Sequence, residues 1–346
     1  MNTINHKPLL NRLLAGKDLS SGEMEAFIGA VMDGGVEDAV IAAMLIALRA
    51  KTETGVEVAA AARAMRARSL AVEIADPQLA VDTCGTGGDG ASTFNISTTV
   101  ALVVAACGVP VAKHGNRAIS SKSGSADVLE ELGVKLDIAP EKVAECIDSI
   151  GIGFLFAPGH HPAMRHAAAP RRELGMRSIF NLLGPLTNPA GAEYQVLGVF
   201  ARDKLDLVAG ALHELGVNRA LIVHGRDGLD EITTTGITDA VWVEKGAPLR
   251  PFEIDPAAFG MPYANSDELA GGCARRNASI LLDILKGQHG APRDIVLLNA
   301  ATALWVAGHV DGIAQGLRQA AEAIDSGQAK AKLDELIAFT QAAGNA

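Results

Sequence analysis

Three runs between Val81 and Asp127 set the reading of the chain: Val81-Asp-Thr-Cys-Gly-Thr-Gly-Gly-Asp-Gly90, Thr93-Phe-Asn-Ile-Ser-Thr-Thr99, and Lys113-His-Gly-Asn-Arg-Ala-Ile-Ser-Ser-Lys-Ser-Gly-Ser-Ala-Asp127. An apolar run, Leu79–Val81, leads into the first, where glycine at 85, 87, 88 and 90 lets the backbone enter conformations closed to residues with a Cβ. Such a loop can turn its amides toward an anion. In the second, Ser97, Thr98 and Thr99 precede the apolar run Val100–Ala106 as caps for a helix whose free amides favour phosphate. The third offers Lys113 and Arg117 as cations, Asn116 as an amide, and the hydroxyls of Ser120, Ser121, Ser123 and Ser125 around Gly115 and Gly124. A solvated Gly/Ser loop would account for any one of these runs, since isolated glycine motifs misfire often. Three in succession fit a ligand that carries both a diphosphate and a separate monophosphate.

Upstream, residues 4–68 read as helices. Ser20-Ser21-Gly22-Glu23 and Thr54-Gly55-Val56-Glu57 both fit a capping box. The segment Val36–Arg49 is apolar nearly all round, so it packs between neighbours, either within its own chain or against a second copy. Asp76-Pro77 marks a boundary, because a residue before proline is pushed out of helical geometry. Beyond it strand and helix patterns alternate: Leu79–Val81, a helix near Val100–Cys107, Val111 as a short strand, helices Ala126–Leu132 and Glu141–Ile150, and Phe154–Phe156. The alternation stops between Ala157 and Ala192, which reads as a second crossing through the helical unit. It resumes with strand Gln195–Phe200, helix Lys204–Leu215 and strand Ala220–His224; antiparallel strands are expected over Thr233–Pro251. Helices around Ala274–Lys286, Pro292–Ala307, Gly312–Ser326 and Lys330–Ala342 close the chain. The fold class expected is α/β: a small all-helical domain plus a larger domain with a mostly parallel central sheet flanked by helices. Ligands on such sheets collect at the carboxyl ends of the strands.

The 346 residues suggest two domains as a soft prior. No apolar run approaches the roughly 18 residues that span a bilayer, and Met1-Asn-Thr-Ile-Asn-His-Lys-Pro lacks a basic patch leading into an apolar core. Cys84, Cys107, Cys146 and Cys273 form no close pair, against a zinc site or a disulfide framework. The expected location is the cytoplasm. A net charge of −10 and 4% aromatic residues count against nucleic-acid binding. An acidic chain with an anionic ligand must gather its cations locally, as Lys113–Lys122 does.

Asp230-Glu231 follows a strand and a glycine-containing loop, which puts two adjacent carboxylates at a strand's carboxyl edge. A solvated acidic turn is the bland alternative. Beside three phosphate-binding loops, magnesium held by these hard oxygens is the better reading, because bound diphosphate needs its charge neutralised. His160-His161, His114 and His224 lack the further ligands of a transition-metal site and are expected to pack or hydrogen bond. Neither Gly-x-Ser-x-Gly nor Gly-x-x-x-x-Gly-Lys-[Ser/Thr] occurs, against hydrolase and NTPase readings. Among Arg165, Arg171, Arg172 and Arg177, one could clamp a carboxylate.

With these residues laid out, the chain resembles the anthranilate phosphoribosyltransferase family of tryptophan biosynthesis. The resemblance rests on Gly85-Thr-Gly-Gly-Asp89, Asn95-Ile-Ser-Thr98, Lys113-His-Gly-Asn-Arg117, Ser123-Gly-Ser-Ala-Asp127, His160-His-Pro-Ala-Met164, Asn181-Leu-Leu-Gly-Pro-Leu-Thr-Asn-Pro189 and Gly228-Leu-Asp-Glu231, and covers nearly the whole chain. The first motif is shared with pyrimidine nucleoside phosphorylases, which supply the alternative reading; the His-His-Pro-Ala-Met and Asn-Leu-Leu-Gly-Pro motifs are more specific.

The resemblance implies a homodimer through a helical domain of residues 1–76 completed by about 163–190, with 77–162 and 191–346 forming the α/β domain. It implies the substrates phosphoribosyl diphosphate (PRPP) and anthranilate, and two magnesium ions, with no nucleic-acid or membrane partner. By motif, Gly85, Gly88, Asp89, Thr93, Asn95, Ile96, Ser97, Thr98, Lys113, His114, Gly115, Asn116, Arg117, Ala118, Ile119, Ser120, Ser121 and Ser125 would hold PRPP. Ser97, Asp230 and Glu231 would contact magnesium, and Gly85, Asn116 and Arg171 would receive anthranilate. Pro170 before Arg171 departs from the family's usual wording, so Arg172 stays an alternative. No covalent nucleophile or essential base is expected.

Overall fold

The computed structural model describes residues 5–118 and 122–344. The chain opens with four helices, α1 (His6–Leu14), α2 (Ser21–Met32), α3 (Asp38–Lys51) and α4 (Gly55–Arg66). Both expected capping boxes form, so Ser20 and Thr54 start α2 and α4 with their first free amides satisfied. The α/β part follows with β1 (Val81–Gly85), α5 (Ile96–Ala106), β2 (Val111–Gly115), α6 (Ser125–Glu131), α7 (Pro140–Ile150) and β3 (Ile152–Phe156). Short helices α8 (Ala157–His160), α9 (Arg165–Leu174) and α10 (Phe180–Leu183) return toward the N-terminal helices. Then come β4 (Tyr194–Gly198), α11 (Leu205–Leu215), β5 (Arg219–Gly225), β6 (Thr238–Glu244) and β7 (Arg250–Ile254). Helices α12 (Ala274–Leu285), α13 (Ala291–Val306), α14 (Ile313–Asp325) and α15 (Gln328–Ala343) complete the chain.

The strands form one sheet in the order β3-β2-β1-β4-β5-β6-β7, parallel from β3 to β5 and antiparallel at β6 and β7. Both faces are covered, and the alternation of side chains along one strand shows how. Leu221 and Val223 of β5 join a core with α5 and α12–α15, whereas Ala220 and Ile222 join one with α11 and α1–α4. That second core also contains Ala167, Ile179, Phe180, Leu182, Leu183 and Leu186. At the β3 end, Leu155 and Ala112 pack instead against Val143 and Ile147 of α7. Because α5 lies between the sheet and α13 and α15, it is buried nearly all round. Helix α3 buries Ile41, Met44, Leu45 and Leu48 but leaves Ile46 39% exposed, so in this chain one side of it is open.

Several sequence boundaries need correction. Strand β1 is not the apolar run Leu79–Val81: Leu79 is 57% exposed and the strand runs through Asp82, Thr83, Cys84 and Gly85. Likewise β2 extends from Val111 through Lys113, His114 and Gly115, so three residues assigned to the third donor loop lie on a strand. Polar residues survive in these buried strands because distant groups satisfy them. Asp82, fully buried, accepts from the His114 N–H (3.2 Å) and the Asn188 Nδ2 (2.8 Å). Ser97, Thr98 and Thr99 do not cap α5; they form its first turn, and Asn95 holds the cap position. Among the described residues no helix is long and apolar enough to cross a membrane.

Candidate active site

Strands β1, β2 and β3 progress to one side of β1 and β4 lies on the other, so the order reverses between β1 and β4. At that switch point the two strands end side by side, Gly85 opposite Gly198. The loop after β5 crosses over both ends. Its Asp230 carbonyl oxygen lies 1.6 Å from where a Cβ on Gly198 would stand, and its Oδ2 lies 2.6 Å from the corresponding point on Gly85. Only two glycines allow this approach. Asp230 Oδ2 accepts the Gly87 N–H at 2.8 Å, inside a turn where Gly87, Gly88 and Gly90 have φ of 65°, 78° and 80°. The crossing loop ties itself down: Gly225 N–H donates to the Leu229 carbonyl (2.8 Å), and Asp227 accepts the hydroxyls of Thr233 (2.6 Å) and Thr235.

The first turn of α5 faces the same point. Ser97 N–H donates to Glu231 Oε1 at 3.2 Å, and the Thr83 hydroxyl binds the Ser97 carbonyl at 3.1 Å, tying helix to β1. Lys113, 3% exposed, donates to the Thr83 carbonyl and lies 3.4 Å from Ser97 Oγ, so its charge sits beneath the site rather than in open solvent. Asn95 accepts from Asn277 Nδ2 (2.9 Å) and donates to the Ser123 carbonyl (3.4 Å), which links α12 to the two donor loops. Thr93 bridges to Ala270. Asp89 caps its own turn through the Ala91 N–H (3.2 Å) and reaches toward the Asp230 N–H. Burial and then the Asp89 charge push Asp230 up to about 7, while burial and then the Asp230 charge push Glu231 up to about 8. The adjacent pair Asp230 and Glu231, with the Asp89 charge near, would be relieved by a cation.

In the third loop, Gly115 is required because a Cβ would meet Ser125 Oγ at 2.4 Å and the Phe154 ring at 2.6 Å. Asn116 accepts the Arg117 N–H (2.7 Å), its carbonyl receives the Ser125 hydroxyl (3.2 Å), and Ala118 N–H reaches Asp127 (3.1 Å). Arg117 is not the free cation expected: it pairs with Asp127 (3.1 Å) and Glu130 (2.8 Å) and lies over the Phe156 ring. Two acids that come close only once α6 forms draw it away from the loop. Ile119, Ser120 and Ser121, assigned from sequence to PRPP, lie outside the described residues. His114 Nδ1 bonds the Gly184 carbonyl (3.0 Å), and its ring lies 5.2 Å from that of His161, in keeping with a packing role.

Comparison with known proteins decides the family. Residues 77–330 match the glycosyl transferase family a/b domain, and 7–69 match its helical bundle domain. The anthranilate phosphoribosyltransferase of Laribacter hongkongensis is 51% identical over 337 residues, 97% of this chain and 98% of the relative. That of Pelotomaculum thermopropionicum is 52% identical over 334 residues, 96% of each chain. Among solved structures, the Thermus thermophilus enzyme superposes with a TM-score of 0.91 at 43% identity, covering 96% of this chain and 99% of the other. The Saccharomyces cerevisiae enzyme in complex with PRPP and Mg gives 0.89 at 26% identity, covering 99% and 100%.

The chain belongs to the anthranilate phosphoribosyltransferase family.

For a member of this family, the arginines of α9 fall into place by exposure. Arg171 is half-buried with its guanidinium 5.3 Å from the Phe180 ring, and among the described residues no carboxylate pairs with it; burial lowers its pKa. Arg172 is exposed. Two further residues shape the candidate site of this anthranilate phosphoribosyltransferase family member: one that sequence reading passed over, and one that it named only among four arginines able to clamp a carboxylate. Gly198 is the first. The other is Arg177, whose guanidinium donates to the Gly88 carbonyl and lies 4.0 Å from the Phe200 ring, while its own carbonyl accepts from Arg49 of α3. Arg177 thus joins the N-terminal helices to the glycine turn. A strand-terminal glycine and an arginine just after a helix were the only signals available.

Among the described residues no three His, Cys, Asp or Glu side chains converge as a ready metal cage. Magnesium needs none, since it is held by one or two carboxylates together with phosphate and water. Asp230 and Glu231, with Asp89 beside them and pKa values raised by burial and mutual repulsion, fit that role.

Proposed function

We infer that this chain transfers the phosphoribosyl group of PRPP to the amine of anthranilate, giving N-(5-phosphoribosyl)anthranilate and diphosphate in tryptophan biosynthesis. The observation that carries this reading is the switch point. Glycine-ended strands, the amides of α5 and a pair of acids converge there, in a family whose yeast member has been solved with PRPP and Mg and with 4-fluoroanthranilate. The glycine turn beyond Gly87, whose own N–H is taken by Asp230, and the positive end of α5 favour the phosphates. Ser97, Asp230 and Glu231 are the residues that would hold magnesium, two ions in our reading. The metal supplies neutralisation of the leaving diphosphate's charge. Lys113 fixes Ser97 and Thr83 from below, and its buried charge favours the same anion.

Arg171 receives the anthranilate carboxylate, with Gly85 and Asn116 beside the ring. The attacking amine is aromatic, neutral at physiological pH and already has a free lone pair, so no strong base is demanded. Catalysis comes from holding the two reactants in line and from donors fixed where charge develops on the leaving group.

The domain division read from sequence is supported by the core that Ile179–Leu186 shares with α1–α4. A homodimer through the helical part is supported by apolar Leu14 and Ile46, 71% and 39% exposed on α1 and α3. The cytoplasm follows from the donor's chemistry, because a polyanion does not cross a bilayer unaided.

Loss of anthranilate fluorescence tests the reaction. Fluorescence should fall only when PRPP and magnesium are both present; persistence of the signal in the complete mixture, or phosphorolysis of a pyrimidine nucleoside instead, overturns the reading.

A further inference from the structure

The acids at the switch point are held from the surface side by Asp227 and its two threonines, and from the interior by a single amide. Ile232, fully buried, directly follows Glu231. Its N–H donates to Asn299 Oδ1 at 3.0 Å, and its carbonyl accepts from Asn299 Nδ2 at 2.8 Å. The same Nδ2 donates to the Ile295 carbonyl of α13, also at 2.8 Å. Asn299 is 2% exposed, in the middle of a helix whose other central residues are almost all apolar. Its neighbour Thr302, equally buried, spends its hydroxyl on the Leu298 carbonyl of the same helix. Asn299 instead reaches out to the loop. A planar amide that satisfies both the donor and the acceptor of one residue fixes that residue in position and in orientation.

We propose that Asn299 is the positioning residue for the acidic pair, anchoring Ile232 to α13 so that Glu231 meets the Ser97 amide and Asp230 meets the Gly87 amide over Gly85 and Gly198. Asn299 touches neither acid, and it acts through one peptide unit. Sequence pattern could not reveal this, because an asparagine in an apolar helix gives no sign of which loop it serves. The inference deepens the reading above and rests on Asp230 and Glu231 being the acids that hold the metal.

The test compares Asn299→Ala, Asn299→Ser, Thr302→Val and the double variant Asp230→Asn/Glu231→Gln in the full-length protein. Two readouts are taken: hydrogen–deuterium exchange of the Ile232 amide in metal-free enzyme, and the magnesium concentration for half-maximal rate. Melting temperature and the KM for anthranilate are recorded alongside. Asn299→Ala is expected to speed exchange and to raise the half-activating magnesium concentration by about tenfold, the size seen when a partner of a metal ligand is lost. The KM for anthranilate stays near wild type. Thr302→Val lowers the melting temperature and moves neither readout. If Asn299→Ala lowers the melting temperature but leaves exchange and magnesium dependence unchanged, the proposal is wrong and the amide merely stabilises the core. Should the alanine variant not fold, Asn299→Ser decides on the same two readouts. If the Asp230→Asn/Glu231→Gln variant keeps its magnesium dependence, the metal reading falls, and exchange alone still shows whether Asn299 holds the loop.

Discussion

Gly198 has no room for even a methyl group, because the Asp230 carbonyl stands 1.6 Å from where its Cβ would be. Gly198→Ala must therefore move the acidic loop, and a displacement of about 1 Å at a reacting centre can cost about 100-fold in rate. We expect a loss of that order with the fold retained, measured as initial rate beside a circular dichroism melt; near-wild-type activity would show that the loop has slack. Arg171 makes a second residue-level case. Its half-buried guanidinium faces no acid among the described residues, whereas Arg172 is exposed. Arg171→Ala should raise the KM for anthranilate by the equivalent of about 1.5–3 kcal/mol, the loss of a hydrogen bond to a charged group. Arg172→Ala should change it little, and the reverse result would shift the assignment by one position.

At the scale of elements, the Asn188 side chain of the returning segment bridges β1 and β2 at once. Asn188 Nδ2 donates to Asp82 Oδ2 and to the Ala112 carbonyl, both at 2.8 Å and all buried. Asn188→Ala should destabilise the protein by about 1–3 kcal/mol for each orphaned acceptor, read from urea unfolding. That bond also explains what sequence could and could not show. The order of helices and strands was legible, because apolar runs alternate and glycine or proline punctuates them, as at Gly151 closing α7 in the left-handed region. The extent of β1 and β2 was not, because Asp82, Thr83, Lys113 and His114 look like loop residues until Asn188, Ser97 and Gly184 arrive from far along the chain. The candidate site divides in the same way. Asp230-Glu231 and the glycine turn are local signals after a strand, while Gly198, Arg177 and Asn299 matter only through partners at long range.

Across the whole molecule, the helices and one face of the sheet share a core, and the candidate site lies at the carboxyl ends of β1 and β4. Buried histidines make stability depend on pH. Burial and neighbouring histidines lower His114 to about 3 and His161 to about 4, from an ordinary value of 6.5. Below about pH 6.5 the unfolded chain takes up protons that the folded chain refuses, so stability falls as pH drops through that window, by about 1.4 kcal/mol per pH unit for each histidine. Urea midpoints should decrease between pH 7 and pH 5, and less steeply in His161→Gln; equal slopes would mean that His161 carries a proton in the folded state.

The central claim is that the doubly phosphorylated sugar and its metal sit at the β1–β4 switch point. A crystal structure with PRPP and magnesium tests it most directly. The diphosphate should lie between the Gly87–Asp89 turn and the first turn of α5, with the metal on the acids after β5. PRPP bound elsewhere, or Asp230 and Glu231 left without metal while the donor is in place, would contradict it.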